Sequence, residues 1–125
     1  MRHRLYLIED HPVMREAYVS LLSGEADFDL CGQSETAEDA LAALSDDTCD
    51  LVVTDVGLSG MSGLDLLDRV RERWPRLPVV VLTGRPDYRV RRHAEQAGAS
   101  AFLSKSDAPA LLLATIRGLL AEPKE

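Results

Sequence analysis

Short apolar runs rich in β-branched residues recur along the chain, separated by stretches with helical periodicity. The strand candidates are Leu5–Ile8, Phe28–Gly32, Leu51–Thr54, Val79–Leu82 and the short Ala101–Leu103. Leu51-Val52-Val53 and Val79-Val80-Val81-Leu82 are apolar without alternation, the pattern of strands covered on both faces. Five helices are predicted between and after them. Pro12 opens the first, with Val13, Met14, Ala17, Tyr18, Leu21 and Leu22 on one face and a stop near Gly24. Thr36 caps the second, which turns Ala37, Ala40, Leu41 and Leu44 inward. Ser62 opens the third, Leu64, Leu67 and Val70 face the sheet, and Pro75 ends it. The fourth runs from about Pro86 to Ala97 and is closed by Gly98. The last starts near Pro109, carries Leu112, Ile116, Leu119 and Leu120, and ends before Pro123.

A βα unit repeated in this way gives parallel strands joined by right-handed crossovers. The expected fold is therefore α/β, a doubly wound five-stranded parallel sheet forming one domain over residues 1–125. In such sheets ligands bind at the carboxyl ends of the strands. Glu9 and Asp10 follow the first strand, Asp55 the third, Thr83 the fourth and Lys105 the fifth. Each alone is an ordinary cap or loop residue. Together they put three carboxylates, a hydroxyl and an ammonium on one rim.

Carboxylates brought close together repel, which raises the pKa of at least one. A hard divalent cation removes that penalty, and Mg²⁺ suits a site of few carboxylates, waters and phosphate oxygens. The remaining carboxylate is then a nucleophile toward phosphorus. Lys105 and Thr83 are placed to bind the oxygens of a transferring phosphoryl group.

Composition narrows the picture further. A balance of 14 basic against 21 acidic residues, net −7, argues against direct nucleic-acid binding, which draws its affinity from phosphate neutralisation. No apolar run approaches the ~20 residues of a membrane helix, and Met1 leads into Leu5-Tyr6-Leu7-Ile8 without a secretory signal pattern. Cys31 and Cys49 form no metal-like cluster and are expected to be reduced, packed thiols in a cytoplasmic protein.

Over essentially its full length the sequence resembles the receiver domains of two-component response regulators, a flavodoxin-like fold of strand order 2-1-3-4-5. Glu9-Asp10 matches the family's acidic pair and Asp55 its phosphoacceptor. The loop Asp55-Val56-Gly57-Leu58-Ser59-Gly60-Met61-Ser62-Gly63 follows the family pattern closely. Thr83-Gly84 matches the hydroxyl position, Lys105 the lysine, and Phe102 the switch aromatic. The resemblance implies Mg²⁺ ligation by Asp10, Asp55 and the Gly57 carbonyl, with Glu9 assisting through water. It implies a sensor histidine kinase as phosphoryl donor, and Thr83 and Phe102 as the moving parts. The fourth helix, fifth strand and fifth helix become an output face, open to phosphorylation-linked dimerisation.

Asp10-His11-Pro12-Val13-Met14-Arg15 and Gly98-Ala99 through Lys105 look most like the subfamily that carries a C-terminal LuxR-type helix-turn-helix domain. After the last helix only Glu122-Pro123-Lys124-Glu125 remain, so the expectation is a receiver cut at a natural linker, with a stand-alone receiver as the alternative. Three features depart from the family. Ser59 stands where proline is usual. Ser106 stands where many relatives carry a cis proline, and a non-proline cis bond costs about 2.5–4 kcal/mol, so that isomer does not carry over. The fourth helix is thin in large apolar residues but holds Arg89, Arg91 and Arg92, with Arg85 before it.

Two other chemistries fit less well. A haloacid-dehalogenase-type phosphatase requires a second Asp two residues after its nucleophile, where this chain has Gly57. A flavodoxin-like FMN site needs a hydroxyl- and glycine-rich phosphate loop after the first strand, where Glu9-Asp10 repels phosphate. Gly57 and Arg85 are expected to tune the lifetime of a phosphoryl group by controlling the access of water.

Overall fold

The computed structural model describes residues 2–45, 49–58, 60–84 and 87–121. Strands β1 (His3–Ile8), β2 (Phe28–Ser34), β3 (Leu51–Asp55), β4 (Val79–Thr83) and β5 (Ala101–Ser104) alternate with α1 (Pro12–Ser23), α2 (Ala37–Ala43), α3 (Gly63–Arg73), α4 (Tyr88–Gln96) and α5 (Pro109–Ala121). All strand pairs are parallel, in the order β2-β1-β3-β4-β5. The unbroken apolar runs are explained by two cores, one on each side of the sheet. Leu5, Leu7, Leu51, Val53, Val80 and Leu82 face a layer containing Tyr18 and Leu22 of α1 and Leu112 and Ile116 of α5. Their neighbours Tyr6, Ile8, Val52, Val79 and Val81 face Ala37, Ala40 and Leu41 of α2 and Leu66, Leu67 and Val70 of α3.

The caps lie where the sequence put them: Thr36 accepts from the Asp39 amide and Ser62 from the Asp65 amide. Several inward faces are corrected. Along α1 the apolar stripe rises through Met14, Tyr18 and Leu22, so Val13 (69% exposed) and Ala17 fall to its solvent side. In α3 the stripe Gly63, Leu66, Leu67, Val70 has true helical spacing, and Leu64 is only half-buried at its edge. α4 starts at Tyr88 and buries only Ala94. Cys31 is exposed, not packed, because it is the extra residue where the β1–β2 register shifts between Leu5 and Tyr6. Cys49 is buried, and burial pushes its thiol up to about 12. Ser59, Arg85, Pro86 and Glu122 to Glu125 lie outside the described residues.

At the edge opposite the strands' carboxyl ends, Arg71 ties α3 to two loops. Its Nε donates to the Gly98 carbonyl at 2.9 Å, and Nη1 to that of Leu77 at 2.5 Å. A Cβ at Gly98, whose φ is +97°, would come within 2.9 Å of Arg71 Nε. Lysine cannot reproduce this fork. Arg71→Lys is expected to cost about 2 kcal/mol, measured as a lower urea midpoint at unchanged slope.

A second clasp joins α5 to the α1–β2 loop. Arg117 donates to Asp27 from Nε and Nη2, each at 2.9 Å, and to Glu25 at 2.6 Å, and lies over the Phe28 ring. The Arg117 guanidinium holds the Asp27 carboxyl down, from 3.8 to about 2. A depressed carboxyl contributes stability that is present above its ordinary pKa and lost as pH falls through the depressed one. The destabilisation caused by Asp27→Asn is therefore expected to be full at pH 7 and to fade between about pH 4 and pH 2. The pair is half-exposed, so added salt should shrink the effect as well. Urea unfolding of both proteins across that range checks it.

Candidate functional site

β1, β3, β4 and β5 all end on one edge, and each carries a polar residue at its end or just after it. Asp55 closes β3 and is 7% exposed; Glu9, just beyond β1, is 1% exposed. Carboxylate oxygens of Glu9, Asp10 and Asp55 lie within 4.8 Å of one another. Lys105, after β5, reaches both buried acids, with Nζ 2.7 Å from Glu9 Oε1 and 2.9 Å from Asp55 Oδ2. Its own amide donates to the Thr83 carbonyl at 2.7 Å, which fixes the start of the lysine side chain beside β4. Thr83 itself is buried at the end of β4.

Electrostatics follow from this crowding. Burial raises the Glu9 pKa, opposed by Lys105 and by the His11 amide that donates to Oε2 at 3.2 Å. Burial would lower that of Lys105, but its ion pairs with Glu9 and Asp55 outweigh it and raise the value. Three carboxylates against one ammonium leave the rim negative. Glu9 Oε1, although within ion-pair reach of Lys105, lacks an aligned hydrogen-bond donor. An acidic, oxygen-only donor set with an incompletely satisfied buried oxygen is suited to a hard divalent cation.

The backbone around Asp55 is equally specified. The Gly57 amide donates to Asp55 Oδ1 at 3.2 Å, and the Gly63 amide donates to the Val56 carbonyl at 2.9 Å. Gly63 lies so close behind the site that a Cβ there would sit 2.0 Å from the Asp55 carbonyl oxygen. A Cβ at Gly57, by contrast, would meet nothing within 4 Å, so the space beside Asp55 is open at that point.

Glu9, Asp10, Asp55 and Lys105 thus converge, Thr83 closes the neighbouring β4 with its carbonyl on the Lys105 amide, and Phe102 lies in β5, half-buried against the α2–α3 core. Arg15, Glu38, Ser104 and Asp107 support the site without any sequence pattern that points to them. Arg15 Nη1 donates to the Glu9 carbonyl, and the Met61 amide to Glu38 Oε2. Asp107 accepts from the Ser104 amide and the Ser104 hydroxyl pairs with Ser106, which shapes the turn carrying Lys105 without a proline. No cis peptide bond occurs among the described residues.

Residues 5–117 match the family model described as response regulator receiver domain. The chain belongs to that family. It is 33% identical over 117 residues to the transcriptional activator protein ExaE of Pseudomonas putida, covering 94% of this chain and 55% of that protein. It is 33% identical over 126 residues to the sensory/regulatory protein RpfC of Xanthomonas campestris, covering 98% of this chain but only 17% of that protein. A LuxR-family response regulator from Aurantimonas superposes with a TM-score of 0.91 at 28% identity, over 97% of this chain and 86% of that one. The chain spans about half the length of ExaE and of two other transcriptional regulators it matches. It is the receiver module of two-component response regulators, a phosphoacceptor switch. Receiver domains bind Mg²⁺ at an acidic site and interact with histidine kinases. Among the described residues no helix is long and apolar enough to cross a membrane.

Proposed function

We propose that this receiver takes its phosphoryl group on Asp55, with Lys105 and Thr83 as catalytic partners and Glu9, Asp10, Asp55 and the Gly57 carbonyl as the Mg²⁺-holding set. The observation that carries this reading is the buried Asp55 carboxylate, 2.9 Å from Lys105 and grouped with Glu9 and Asp10. Bound at that set, Mg²⁺ would neutralise the oxygens of the incoming group and relieve the mutual repulsion of the acids.

The chain's own residues supply the rest. An Asp55 oxygen forms the bond to phosphorus while the donor's bond to it breaks, from a kinase histidine nitrogen or an acyl oxygen. Lys105 exchanges one carboxylate contact for a phosphoryl oxygen, and the Thr83 hydroxyl takes another. The phosphoryl group adds about two negative charges by analogy with other phosphorylated side chains. Thr83 closing on it opens space into which Phe102 turns. Phe102 borders a recess shared with Tyr88 and Arg91 of α4 and with Asp107, so its rotation changes the α4–β5–α5 surface. That surface is the proposed output face and homodimer contact.

The donor is a sensor histidine kinase in the cytoplasm, and residues 1–125 act as one receiver domain. Its likeness to transcriptional regulators of about twice its length supports control of transcription through a LuxR-type effector domain. Gly57 and Arg85 tune the lifetime of the phosphoryl group by controlling the access of water.

Incubation with a small acyl phosphate and Mg²⁺, followed by intact mass and peptide mapping, tests the reading. One phosphoryl group on the peptide containing Asp55, lost on chelation before labelling, is expected. A wild-type protein that gains no mass overturns it.

A further inference from the structure

The acidic site is carried by two loops, one after β1 and one after β3, which come from strands adjacent in the sheet. Neither is held only by its own strand. From α1, Arg15 donates Nη1 to the Glu9 carbonyl at 3.1 Å, and its Nη2 lies 3.0 Å from Glu35 Oε1. Its side chain is largely buried. Glu35 lies in the turn between β2 and α2, and the preceding residue, Ser34, accepts from the Glu9 amide at 3.1 Å. Three residues after Glu35, Glu38 reaches the other loop. Its Oε2 accepts from the Met61 amide at 3.4 Å and lies within 2.9 Å of where a Cβ at Gly60 would stand. Gly60 has φ +76°, so the loop turns there in a conformation that glycine permits and the carboxylate can approach closely.

The segment between these two contacts is rigidly seated. Thr36 caps α2 through the Asp39 amide, and Ala37 and Ala40 are fully buried against the sheet. Residues 34–38 therefore touch both metal-site loops from one fixed base.

We propose that this β2–α2 junction is a strut that positions the acidic site, with Arg15 and Glu38 as positioning residues at its two ends. The proposal rests on the Mg²⁺-holding set assigned above. It gives the loop after Asp55 a restraint from outside. Neither residue touches the phosphoryl group. Each acts by fixing a backbone, Arg15 that of Glu9 and Glu38 that of Gly60 and Met61.

Charge and positioning make opposite forecasts, which allows a decision. Removing the Arg15 cation from beside an acidic site should tighten Mg²⁺ binding if only charge matters. If Arg15 positions Glu9, Arg15→Ala should weaken it by roughly tenfold, the usual cost of losing an outer-sphere support. Glu38→Ala should weaken it similarly, whereas Glu38→Gln, which keeps an acceptor oxygen for Met61, should retain most of the wild-type affinity. Titration calorimetry with MgCl₂ reads all four proteins. Amide hydrogen exchange without metal supplies an independent readout: Gly60 and Met61 should exchange faster in Glu38→Ala than in wild type or Glu38→Gln.

Unchanged or tighter binding in Arg15→Ala, or equal loss in Glu38→Gln and Glu38→Ala, overturns the strut. Unchanged exchange at Gly60 and Met61 in Glu38→Ala overturns it as well, whatever the metal does. A wild-type protein that binds no Mg²⁺ while Glu38→Ala speeds that exchange would instead overturn the assignment of the metal set and leave the strut standing.

Discussion

Asp55→Asn is expected to abolish labelling by an acyl phosphate while leaving the fold intact. The amide has the size and shape of the carboxylate, so it fits the same buried position at the end of β3 and can still accept from the Gly57 amide. What it lacks is a nucleophilic oxygen. Replacement also removes one of the mutually repelling acids on the rim. The variant should therefore unfold at the same or a higher urea concentration in metal-free buffer, and its Mg²⁺ affinity should fall. Intact mass after acyl phosphate treatment and a urea titration check both halves. Undiminished labelling would move the phosphoacceptor elsewhere; a lower urea midpoint would show that crowding is not the dominant strain at the rim.

The second large effect concerns a glycine that looks unremarkable in the sequence. Gly63→Ala adds one methyl group, yet that carbon would lie 2.0 Å from the Asp55 carbonyl oxygen and 2.9 Å from Val56 Cα. Those neighbours are backbone, and they belong to the strand end that carries the proposed nucleophile. They cannot swing aside like a side chain, so α3 must back away from the sheet. Leu66, Leu67 and Val70, all fully buried, would be drawn out with it. The expected loss is about 3 kcal/mol or more, with slower phosphorylation of whatever remains folded. Gly118→Ala is the control. It sits in α5 with nothing within 4 Å of a Cβ, so alanine should stabilise by roughly 0.5–1 kcal/mol. Urea unfolding of the two variants should move in opposite directions.

Much of this molecule is legible from its sequence because a parallel sheet buried on both faces writes itself as apolar runs. The rim follows from the strands, since a strand's end is also where its side chains meet the crevice. What escaped was mostly relational. Leu64, Leu67 and Val70 suggest a face because a three-residue step imitates helical spacing over two turns before drifting off it, and Leu66 is the residue that packs beside Leu67 and Val70. Cys31 reads as a packing residue in an apolar stretch, but the register shift beside Leu5 turns it out. Arg15, Glu38 and Gly63 owe their importance to residues distant in sequence or to a crossing of backbones, and no local pattern announces such a contact. The hydroxyl turn around Ser104 and Asp107 is similar: its role is clear only once Lys105 is seen to hang from it.

The two-sided core has a consequence for how such a module can change over time. Along β5, Phe102 faces the α2–α3 side while Ala101 and Leu103 belong to the α1–α5 side. Substitutions in the two layers share few contacts, so their effects on stability should add. One layer can therefore change its packing while the other keeps its own. At the rim, where Lys105 pairs with Asp55 across the strand ends, the two meet.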